Sequence, residues 1–142
     1  MKIPLKIDNI EGRLSVIASV RFQKKVPIPV LFVIDTGSPV TFVDEFEASK
    51  ISIYAKNLVL DHKALMGGSK ISMHKAGNTS ISFLDSEGHQ IKAESDMLVA
   101  KTEWTRKGKI YSGTSIIGLD FLMQNKAKLF VDPYNTLAYI EI

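Results

Sequence analysis

The feature that most limits what this chain can fold into is an alternation of apolar and polar residues with a period of two. In residues 13–22, RLSVIASVRF, every second residue from Leu14 to Phe22 is apolar. Residues 79–85 and 136–142 show shorter versions of the same pattern. Because successive side chains of a strand point to opposite faces of a sheet, each stretch predicts a half-buried β-strand.

Turn-forming segments separate the predicted strands. Four of them contain Gly, Pro, Asp or Asn: NIEG at 9–12, DSEG at 85–88, RKG at 106–108 and DPYN at 132–135. These residue types favour tight turns. Short strands at regular spacing with such turns are typical of β-barrels and β-sandwiches. We therefore expect an all-β fold.

Two short segments show helical features instead. Residues 44–50, DEFEASK, begin with acidic residues, and residues 118–126 carry Leu119, Leu122 and Met123 at i, i+3 and i+4. Apolar residues at this spacing share one face of a helix. The second pattern is the stronger one, and it lies between two strand signals. We predict one short helix near the C-terminus.

Length and composition limit the broad class of protein. A chain of 142 residues, 45% of them hydrophobic, can bury a core, and we take residues 1–142 as one domain. The sequence has no cysteine, which excludes thiol catalysis and cysteine zinc sites and fits a reducing compartment. No apolar run approaches the roughly 18 residues of a membrane helix, and the N-terminal residues do not resemble a signal peptide. We expect a cytoplasmic protein without a membrane partner.

The densest basic stretch is KTEWTRKGK, residues 101–109, in which Trp104 lies among lysines and an arginine. An aromatic side chain among cations is one way to bind nucleic acid. A solvated loop or hairpin end explains the same residues, and Glu103 dilutes their charge. The net charge of +3 is also mild for a nucleic-acid-binding domain. We favour the solvated loop and predict no nucleic-acid partner.

An aspartate stands at the end of the most apolar stretch in the chain. In VLFVIDTGSPVTFV, residues 30–43, five apolar residues run directly into Asp35. A β-turn opened by Asp35 is one explanation of the segment. However, an ionised carboxylate at the end of a buried strand is costly to hold. A functional carboxylate is therefore the alternative interpretation.

Two further segments accompany this aspartate. Gly67 and Gly68 are placed to form the tip of a hairpin, because glycine adopts turn conformations without steric cost. Residues 115–124, SIIGLDFLMQ, combine a short apolar strand, a glycine and an apolar helix. Together with residues 34–38, IDTGS, these segments resemble a retropepsin-type aspartic protease in the same order along nearly the whole chain. The resemblance is greatest to the retroviral-like protease domain of the DNA-damage-inducible ubiquitin-shuttle proteins and their prokaryotic relatives.

The resemblance implies a single-lobe retropepsin-type barrel and an endopeptidase chemistry that uses two carboxylates. One carboxylate takes a proton from a water as general base, and the other protonates or holds the carbonyl oxygen of the peptide. Carboxylates this close share one proton. Neither Asp120 nor Asp132 is followed by Thr-Gly. The resemblance therefore implies a symmetric homodimer, in which each copy contributes one Asp35, with a peptide or protein substrate and no cofactor.

The matched residues of the Asp-Thr-Gly-Ser segment carry roles by resemblance. Asp35 would be the catalytic carboxylate, Thr36 would hydrogen-bond across the dimer, and Gly37 would let the backbone approach the carboxylate pair. Ser38 stands where retroviral enzymes often carry Ala and pepsins often carry Ser. A hydroxyl donating to the carboxylate favours its charged form, so we predict a more acidic optimum than for Ala at this position.

The resemblance also assigns the surroundings of the carboxylate. Val33 and Ile116 match side-pocket positions, although core packing explains them equally well. The flap that closes over substrate and excludes water corresponds to four residues: Met66, Gly67, Gly68 and Ser69.

The dimer contacts are less well defined. Retroviral enzymes have an Arg after the downstream Gly, whereas here Leu119 follows it. Residues 136–142 could replace that contact as an edge strand that is apolar on both faces. Residues 1–7 are a second candidate, although Pro4 limits their pairing. If both segments pair within one subunit, the case for a dimer is weaker.

The three histidines, His62, His74 and His89, lack metal-binding spacing, so we expect no metal. Two alternatives to the protease stay open. One is a non-catalytic dimerisation or peptide-binding module of the same fold, which would grip an extended chain by strand addition. The other is a monomeric β-barrel binding domain in which residues 35–38 form only a turn.

Overall fold

A computed structural model describes residues 1–105 and 113–142, with the side chains of Trp104 and Thr105 left out. The predicted turn at 106–108 and much of the basic stretch 101–109 lie outside the described residues. The helical elements are α1 (Glu45–Ser49), a 3₁₀ turn (Ala55–Asn57) and α2 (Leu119–Gln124). The strands are β1 (Lys2–Pro4), β2 (Lys6–Asp8), β3 (Arg13–Phe22), β4 (Ile28–Ile34), β5 (Phe42–Asp44), β6 (Leu60–Met66), β7 (Ser69–Lys75), β8 (Thr79–Leu84), β9 (Gln90–Ala93), β10 (Leu98–Thr105), β11 (Ser115–Ile117), β12 (Lys128–Asp132) and β13 (Leu137–Glu141).

The alternating stretches form strands, as predicted. β3 covers the whole of residues 13–22, and its apolar face ends in the fully buried Val20 and Phe22. β8 buries Ile81 and Phe83 in the same way. The burial of every second side chain against one core makes the pattern visible in the sequence. No helix in the described ranges is long and apolar enough to cross a membrane.

Most of the strands in the described residues belong to one sheet, in the order β6-β7-β10-β5-β11-β4-β3-β8-β9, with β2 also paired to β3. β11 runs parallel to β4, and Ile117 lies beside Ile34. Asp35 and Gly118 directly follow these two strands, so they lie side by side. This junction between β4 and β11 positions the candidate site.

The chain termini form a separate three-stranded sheet in the order β1-β13-β12. Ile140 of β13 pairs with Ile3 on one side and with Leu129 on the other. The backbones of Met1 and Ile142 continue this pairing through two hydrogen bonds of 2.9 and 3.0 Å. The prediction that residues 136–142 form an edge strand is therefore wrong, because the N-terminal strand of the same chain covers the side that we expected to be open.

Both predicted helical segments are helical. In α1 the Asp44 carboxylate caps the helix by accepting a hydrogen bond from the Phe46 N–H at 3.0 Å. The prediction that Leu119, Leu122 and Met123 share one buried face of α2 is only partly right. Leu122 is buried, but Leu119 is 41% exposed and Met123 is 75% exposed. The buried face instead carries Phe121, whose ring packs edge-on against Phe83 at 5.7 Å.

Candidate active site

Asp35 lies at the end of β4 in a turn that the neighbouring strand holds in place. Its N–H donates to the carbonyl of Ile117 in β11 at 3.0 Å, and its carbonyl accepts from the N–H of Ser38 at 3.0 Å. Its Oδ1 accepts a hydrogen bond from the N–H of Gly37 at 2.9 Å. Asp35 is half-buried. One backbone donor of its own loop, the N–H of Gly37, thus orients the carboxylate.

The three residues after Asp35 differ in exposure. Thr36 and Gly37 are exposed, whereas Ser38 is buried. A Cβ atom at Gly37 would lie 3.1 Å from Asp35 Oδ1, which is closer than ordinary van der Waals contact. The backbone at Gly37 therefore approaches the carboxylate closely, as the resemblance implies. The exposed Thr36 leaves its hydroxyl on the surface of the subunit.

The prediction for Ser38 is wrong. Its hydroxyl donates to the carbonyl of Val40 at 2.8 Å and not to Asp35, while its own carbonyl accepts from the N–H of Leu119 at 2.9 Å. A hydroxyl has a single proton to donate, and this one goes to the backbone two residues further along. Ser38 therefore stabilises the shape of the loop, and the predicted acidic optimum loses its physical basis.

A buried network behind the loop was not visible in the sequence. Thr41 is fully buried, and its hydroxyl donates to Asp120 Oδ1 at 2.6 Å while its N–H donates to Asp120 Oδ2 at 3.0 Å. The same hydroxyl accepts a hydrogen bond from the N–H of Gly118 at 2.9 Å. One carboxylate from the first turn of α2 thus connects the active-site loop to the end of β11. The only hint in the sequence was a threonine inside the apolar run VTFV.

Gly118 closes this network by close packing. A Cβ atom there would lie 2.5 Å from the carbonyl oxygen of Val40 and 2.7 Å from that of Ser38. Both are backbone atoms, so neither can move aside without shifting the loop. The glycine of the SIIGLDFL segment is therefore needed for close approach, since its backbone conformation is an ordinary extended one.

Asp44 is a second carboxylate in the framework that sequence reasoning did not identify. It is only 6% exposed, and burial raises the pKa of its carboxyl, with Glu45 and Glu47 adding to this effect, while donation from the N–H groups of Phe46 and Gly113 opposes it. Its own N–H donates to Ser115 Oγ at 3.0 Å. Asp44 therefore connects β5, α1 and β11. None of these hydrogen bonds involves the Asp35 turn.

The predicted Gly-Gly hairpin is present. β6 and β7 pair up to Met66 and Ser69, and the two residues between them, Gly67 and Gly68, have φ angles of 57° and 80°. Two positive φ angles define the type I′ turn, whose twist matches that of the strands. Only glycine and a few polar residues adopt this conformation at low cost.

The inner face of the hairpin rests on a small apolar cluster beside the candidate site. Ile116 and Phe42 are buried in this cluster, and Met66 and Ile71 of the hairpin pack against it. Ile116 pairs with the half-buried Val33 on the neighbouring strand. The structure thus brings the two predicted pocket residues together, with Ile116 in core packing. Their role as a side pocket stays a prediction.

The outer face of the hairpin carries charged side chains. Glu103 of β10 contacts Lys63 at 3.1 Å and Lys70 at 3.9 Å. The hydrogen bond from Lys63, together with the charges of Lys63, Lys70 and His74, lowers the pKa of the Glu103 carboxyl. These side chains are at least partly exposed, so the ion pairs are weak constraints.

A cavity of about 410 Å³ opens beside the active-site loop, with Val40, Leu98 and Asp120 in its lining. A larger cavity of about 630 Å³ lies on the far part of the sheet, where β3, β8 and β9 line it. We regard the smaller cavity as the relevant one because Val40 and Asp120 belong to the network that holds Asp35.

The histidines have separate partners. His62 contacts Asp61 at 2.5 Å, His74 contacts the hydroxyl of Ser72 at 3.0 Å, and His89 contacts Asp85 at 3.1 Å. Among residues 1–105 and 113–142, no group of three or more His, Asp or Glu side chains is arranged to hold a metal ion.

The chain is similar to two solved structures of proteases. The match to a retropepsin-like aspartic protease from Rickettsia conorii has a TM-score of 0.61 and 17% sequence identity, and it covers 99% of this chain and 89% of that chain. The match to the EIAV protease complexed with the inhibitor HBY-793 has a TM-score of 0.53 and 20% identity, and it covers 87% of this chain and 98% of that chain. No protein-family model and no curated protein matches the chain.

Identities this low establish a fold and not an activity. The special closeness to the DNA-damage-inducible ubiquitin-shuttle proteins stays a prediction. The all-β fold, the order of the Asp-Thr-Gly-Ser turn, the Gly-Gly hairpin and the C-terminal helix, and both structural matches agree. This chain has the retropepsin-like fold of aspartic proteases.

Proposed function

We propose that the protein is a homodimeric aspartic endopeptidase, with residues 1–142 as its protease domain. The observation that carries this proposal is the turn at Asp35. Its carboxylate is half-exposed at the junction of β4 and β11, and the N–H of Gly37 orients it. A turn with no function beyond connecting strands has no need for the buried Thr41–Asp120 network behind it.

The reaction uses the Asp35 carboxyl groups of both copies, which share one proton. The ionised carboxylate accepts a proton from a water molecule as its oxygen attacks the carbonyl carbon of the peptide. The protonated carboxyl group donates its proton to the carbonyl oxygen. In the second step the Asp35 carboxyl that gained the proton of the water donates it to the amide nitrogen, while the other Asp35 carboxylate takes a proton from a hydroxyl of the tetrahedral intermediate. The C–N bond then breaks, a carboxylic acid and an amine are released, and the pair again shares one proton.

The other residues of the turn position these groups. Gly37 orients Asp35 through its N–H, and Ser38 holds the loop to Val40 and Leu119. Thr36 is exposed where a second copy would approach, and its hydroxyl would hydrogen-bond across the dimer.

The substrate is an extended peptide. Met66, Gly67, Gly68 and Ser69 act as a flap that closes over it and excludes water. The cavity of about 410 Å³ beside Val40 is a candidate place for one substrate side chain. Val33 and Ile116 would shape a neighbouring apolar side pocket.

The dimer cannot depend on a free C-terminal edge, because β13 already has a partner on each side. In the described residues β1 and β12 each pair with β13 alone, so residues 1–7 stay a candidate for the contact between copies, together with the surface around Asp35. Location in the cytoplasm stays a prediction, for which the absence of cysteine is the supporting observation.

The test is cleavage of a mixed peptide library between about pH 4 and pH 7, the range in which a carboxylate pair can act. Wild type should cleave, and Asp35→Asn should lower the rate on the order of 10³-fold, because the general base is lost. Asp132→Asn is the matched control, since Asp132 caps a surface turn by accepting from Asn135. It should retain nearly full activity.

Sedimentation must accompany the assay, because loss of the dimer would imitate loss of chemistry. Asp35→Asn has to remain dimeric for its effect to count as chemical. A wild type that binds peptides tightly and cleaves none of them across this range would instead establish the non-catalytic module. A wild type that is monomeric and inert would establish the simple β-barrel binding domain.

A further inference from the structure

The outer face of the β6–β7 hairpin and of the adjoining β10 is rich in lysine. β7 lies between the other two strands, and its residue Ser72 pairs with Lys63 on one side and with Lys101 on the other. Neighbouring strands are about 4.8 Å apart, so the backbones that carry the two lysines lie roughly 10 Å apart. Lys70 precedes Ser72 by two residues on β7 and therefore lies on the same face.

A cavity of about 250 Å³ opens on this face, between the strands and the 3₁₀ turn. Its lining includes Lys56, Leu60, Lys63, Ser72, Lys101 and Glu103. Lys56 belongs to the 3₁₀ turn, so the turn adds a fourth lysine to those of the three strands. We call Lys56, Lys63, Lys70 and Lys101 the lysine face.

The carboxylates near the lysine face do not neutralise it. In the described part of the chain, Glu103 is the one carboxylate that contacts these four lysines, at 3.1 Å from Lys63 and 3.9 Å from Lys70. The hydrogen bond from Lys63, with the charges of Lys63, Lys70 and His74, lowers the pKa of the Glu103 carboxyl, as a positive field does. The surface therefore keeps an excess of positive charge.

The neighbouring helix α1 has carboxylates of its own, and they have other partners. Glu45 accepts a hydrogen bond from the N–H of Ala55 at 2.7 Å, and Glu47 contacts the ammonium group of Lys50 at 2.6 Å. Neither of these contacts involves the lysine face.

Apolar side chains lie on β6 at both sides of Lys63. Leu60 pairs with His74 and Leu65 pairs with Lys70, which places both leucines on the same face as Lys63. Leu60 is 47% exposed and Leu65 is 74% exposed. Exposed apolar side chains among cations suit a protein segment better than a nucleic acid, for which the net charge of +3 is also mild.

The spacing of the lysines favours an extended occupant with several negative charges. A single phosphate ion is too small to reach lysines on strands roughly 10 Å apart. Alternate side chains of an extended segment point to the same side and are roughly 7 Å apart. Carboxylates at such positions can therefore follow the lysines across the strands.

We propose that the lysine face binds an acidic segment of a partner protein, in which glutamate or aspartate side chains are interspersed with apolar ones. Charge complementarity carries the inference: the carboxylates of the segment pair with Lys56, Lys63 and Lys101, and an apolar side chain contacts Leu60. The inference goes beyond the proposed function, because it requires neither a second copy nor cleavage. Met66 and Ile71 pack on the opposite side of the hairpin, so the segment leaves the side next to Asp35 free.

The probe is a short fluorescein-labelled peptide of Glu-Glu-Leu repeats, and a Gln-Gln-Leu peptide of the same length is its control. Fluorescence anisotropy measures the dissociation constant of each peptide. The glutamate peptide should bind at least about tenfold more tightly at low salt. Its binding should weaken steeply between about 50 and 500 mM salt, because exposed charges are screened.

Two pairs of charge variants locate the site. Lys101→Glu should raise the dissociation constant about fivefold or more, because it reverses a charge at the centre of the lysine face. Lys92→Glu, at an exposed lysine of β9 in the same sheet, changes the net charge equally and should alter the constant less than about twofold. Glu103→Gln should lower the constant about twofold to threefold, because it frees Lys63. Glu87→Gln, in an exposed turn, is its control.

Weaker binding by Lys101→Glu and tighter binding by Glu103→Gln, each beyond its control, support the inference. It is overturned if the glutamate peptide binds no better than the glutamine peptide, or if Lys101→Glu and Lys92→Glu have equal effects. It is also overturned, in favour of a nucleic-acid surface, if a short oligothymidylate displaces the peptide and binds more tightly with the same dependence on Lys101. Thermal melts identify a variant that fails to fold, and Lys101→Gln with Lys92→Gln then replace the glutamate pair.

Discussion

The active-site turn and the β6–β7 hairpin are held in very different ways. Behind Asp35, Thr41 and Asp120 connect three elements through short hydrogen bonds, and Gly118 packs directly on the loop backbone. The bond from Gly118 to Thr41 is buried, and the two to Asp120 are partly buried. The hairpin has its own strand pairing, apolar contacts on one face and exposed ion pairs to Glu103 on the other. Buried hydrogen bonds fix atoms more tightly than exposed ion pairs do. The difference fits a carboxylate that must be placed accurately and a flap that must open.

The largest effect that would test this comparison comes from Gly118→Ala. The new Cβ would lie 2.5 Å from the carbonyl oxygen of Val40, so the loop or α2 must shift. We expect a loss of about 2–3 kcal/mol in the free energy of unfolding, as for other overpacked sites. Urea denaturation measures it. A loss below that of Gly67→Ala would show that the loop is less rigid than its packing indicates.

Asp120→Ala should have the next largest effect on the same region. It leaves the buried N–H of Thr41 without its acceptor and removes a charged hydrogen bond, which costs about 2 kcal/mol. Asp120→Asn keeps one carbonyl acceptor and should cost about half as much. Denaturation gives both values, and peptide cleavage should fall with Asp120→Ala because the loop that carries Asp35 loses its support. Equal stability of the two variants would contradict the proposed role of the carboxylate.

Gly67→Ala addresses the hairpin. The φ of 57° at this position is unfavourable for alanine, but no atom lies within 4 Å of the added Cβ. We expect a loss of about 1 kcal/mol, confined to the hairpin, with faster amide hydrogen exchange in β6 and β7 and little change around Asp35. Gly67→Asn is the control, because asparagine tolerates this conformation. Faster exchange throughout the large sheet would show that the hairpin and the loop unfold as one unit.

The smallest effect concerns the pH dependence of stability. Burial raises the pKa of Asp44 above its ordinary value of 3.8, so folding favours the protonated form. The contribution of Asp44 to folding stability is fully present below its pKa in the unfolded chain, where the carboxyl is protonated. It is lost as the pH rises through its pKa in the folded protein. Asp44→Asn, which retains a capping oxygen, should therefore gain stability relative to wild type between about pH 3 and pH 7. The free energy of unfolding of each protein is measured across this pH range. A difference between variant and wild type that stays constant with pH would show that Asp44 is better solvated than its burial indicates.

The sequence predicted the parts of the fold that depend on neighbouring residues. The period of two in residues 13–22 predicted β3, and the Gly-Gly pair predicted a hairpin tip with two positive φ angles. The direction of the Ser38 hydroxyl was predicted wrongly, because the conformation of the loop, which sequence does not show, directs it to the carbonyl of Val40. The exposure of Leu119 and Met123 was also missed, since apolar spacing alone does not show which face of a short helix meets the core.

Local sequence patterns alone specify where strands form, where the chain turns, and that a carboxylate ends an apolar strand in an Asp-Thr-Gly-Ser segment. These features follow from local conformational preference and from the burial of every second side chain. The packing of the whole chain decides that β13 is a central strand, that Asp120 accepts hydrogen bonds from Thr41, and that Leu119 and Met123 remain exposed. Thr41 and Asp120 are 79 residues apart in the chain. Contacts at such separation depend on how the whole chain packs, and no local pattern records them.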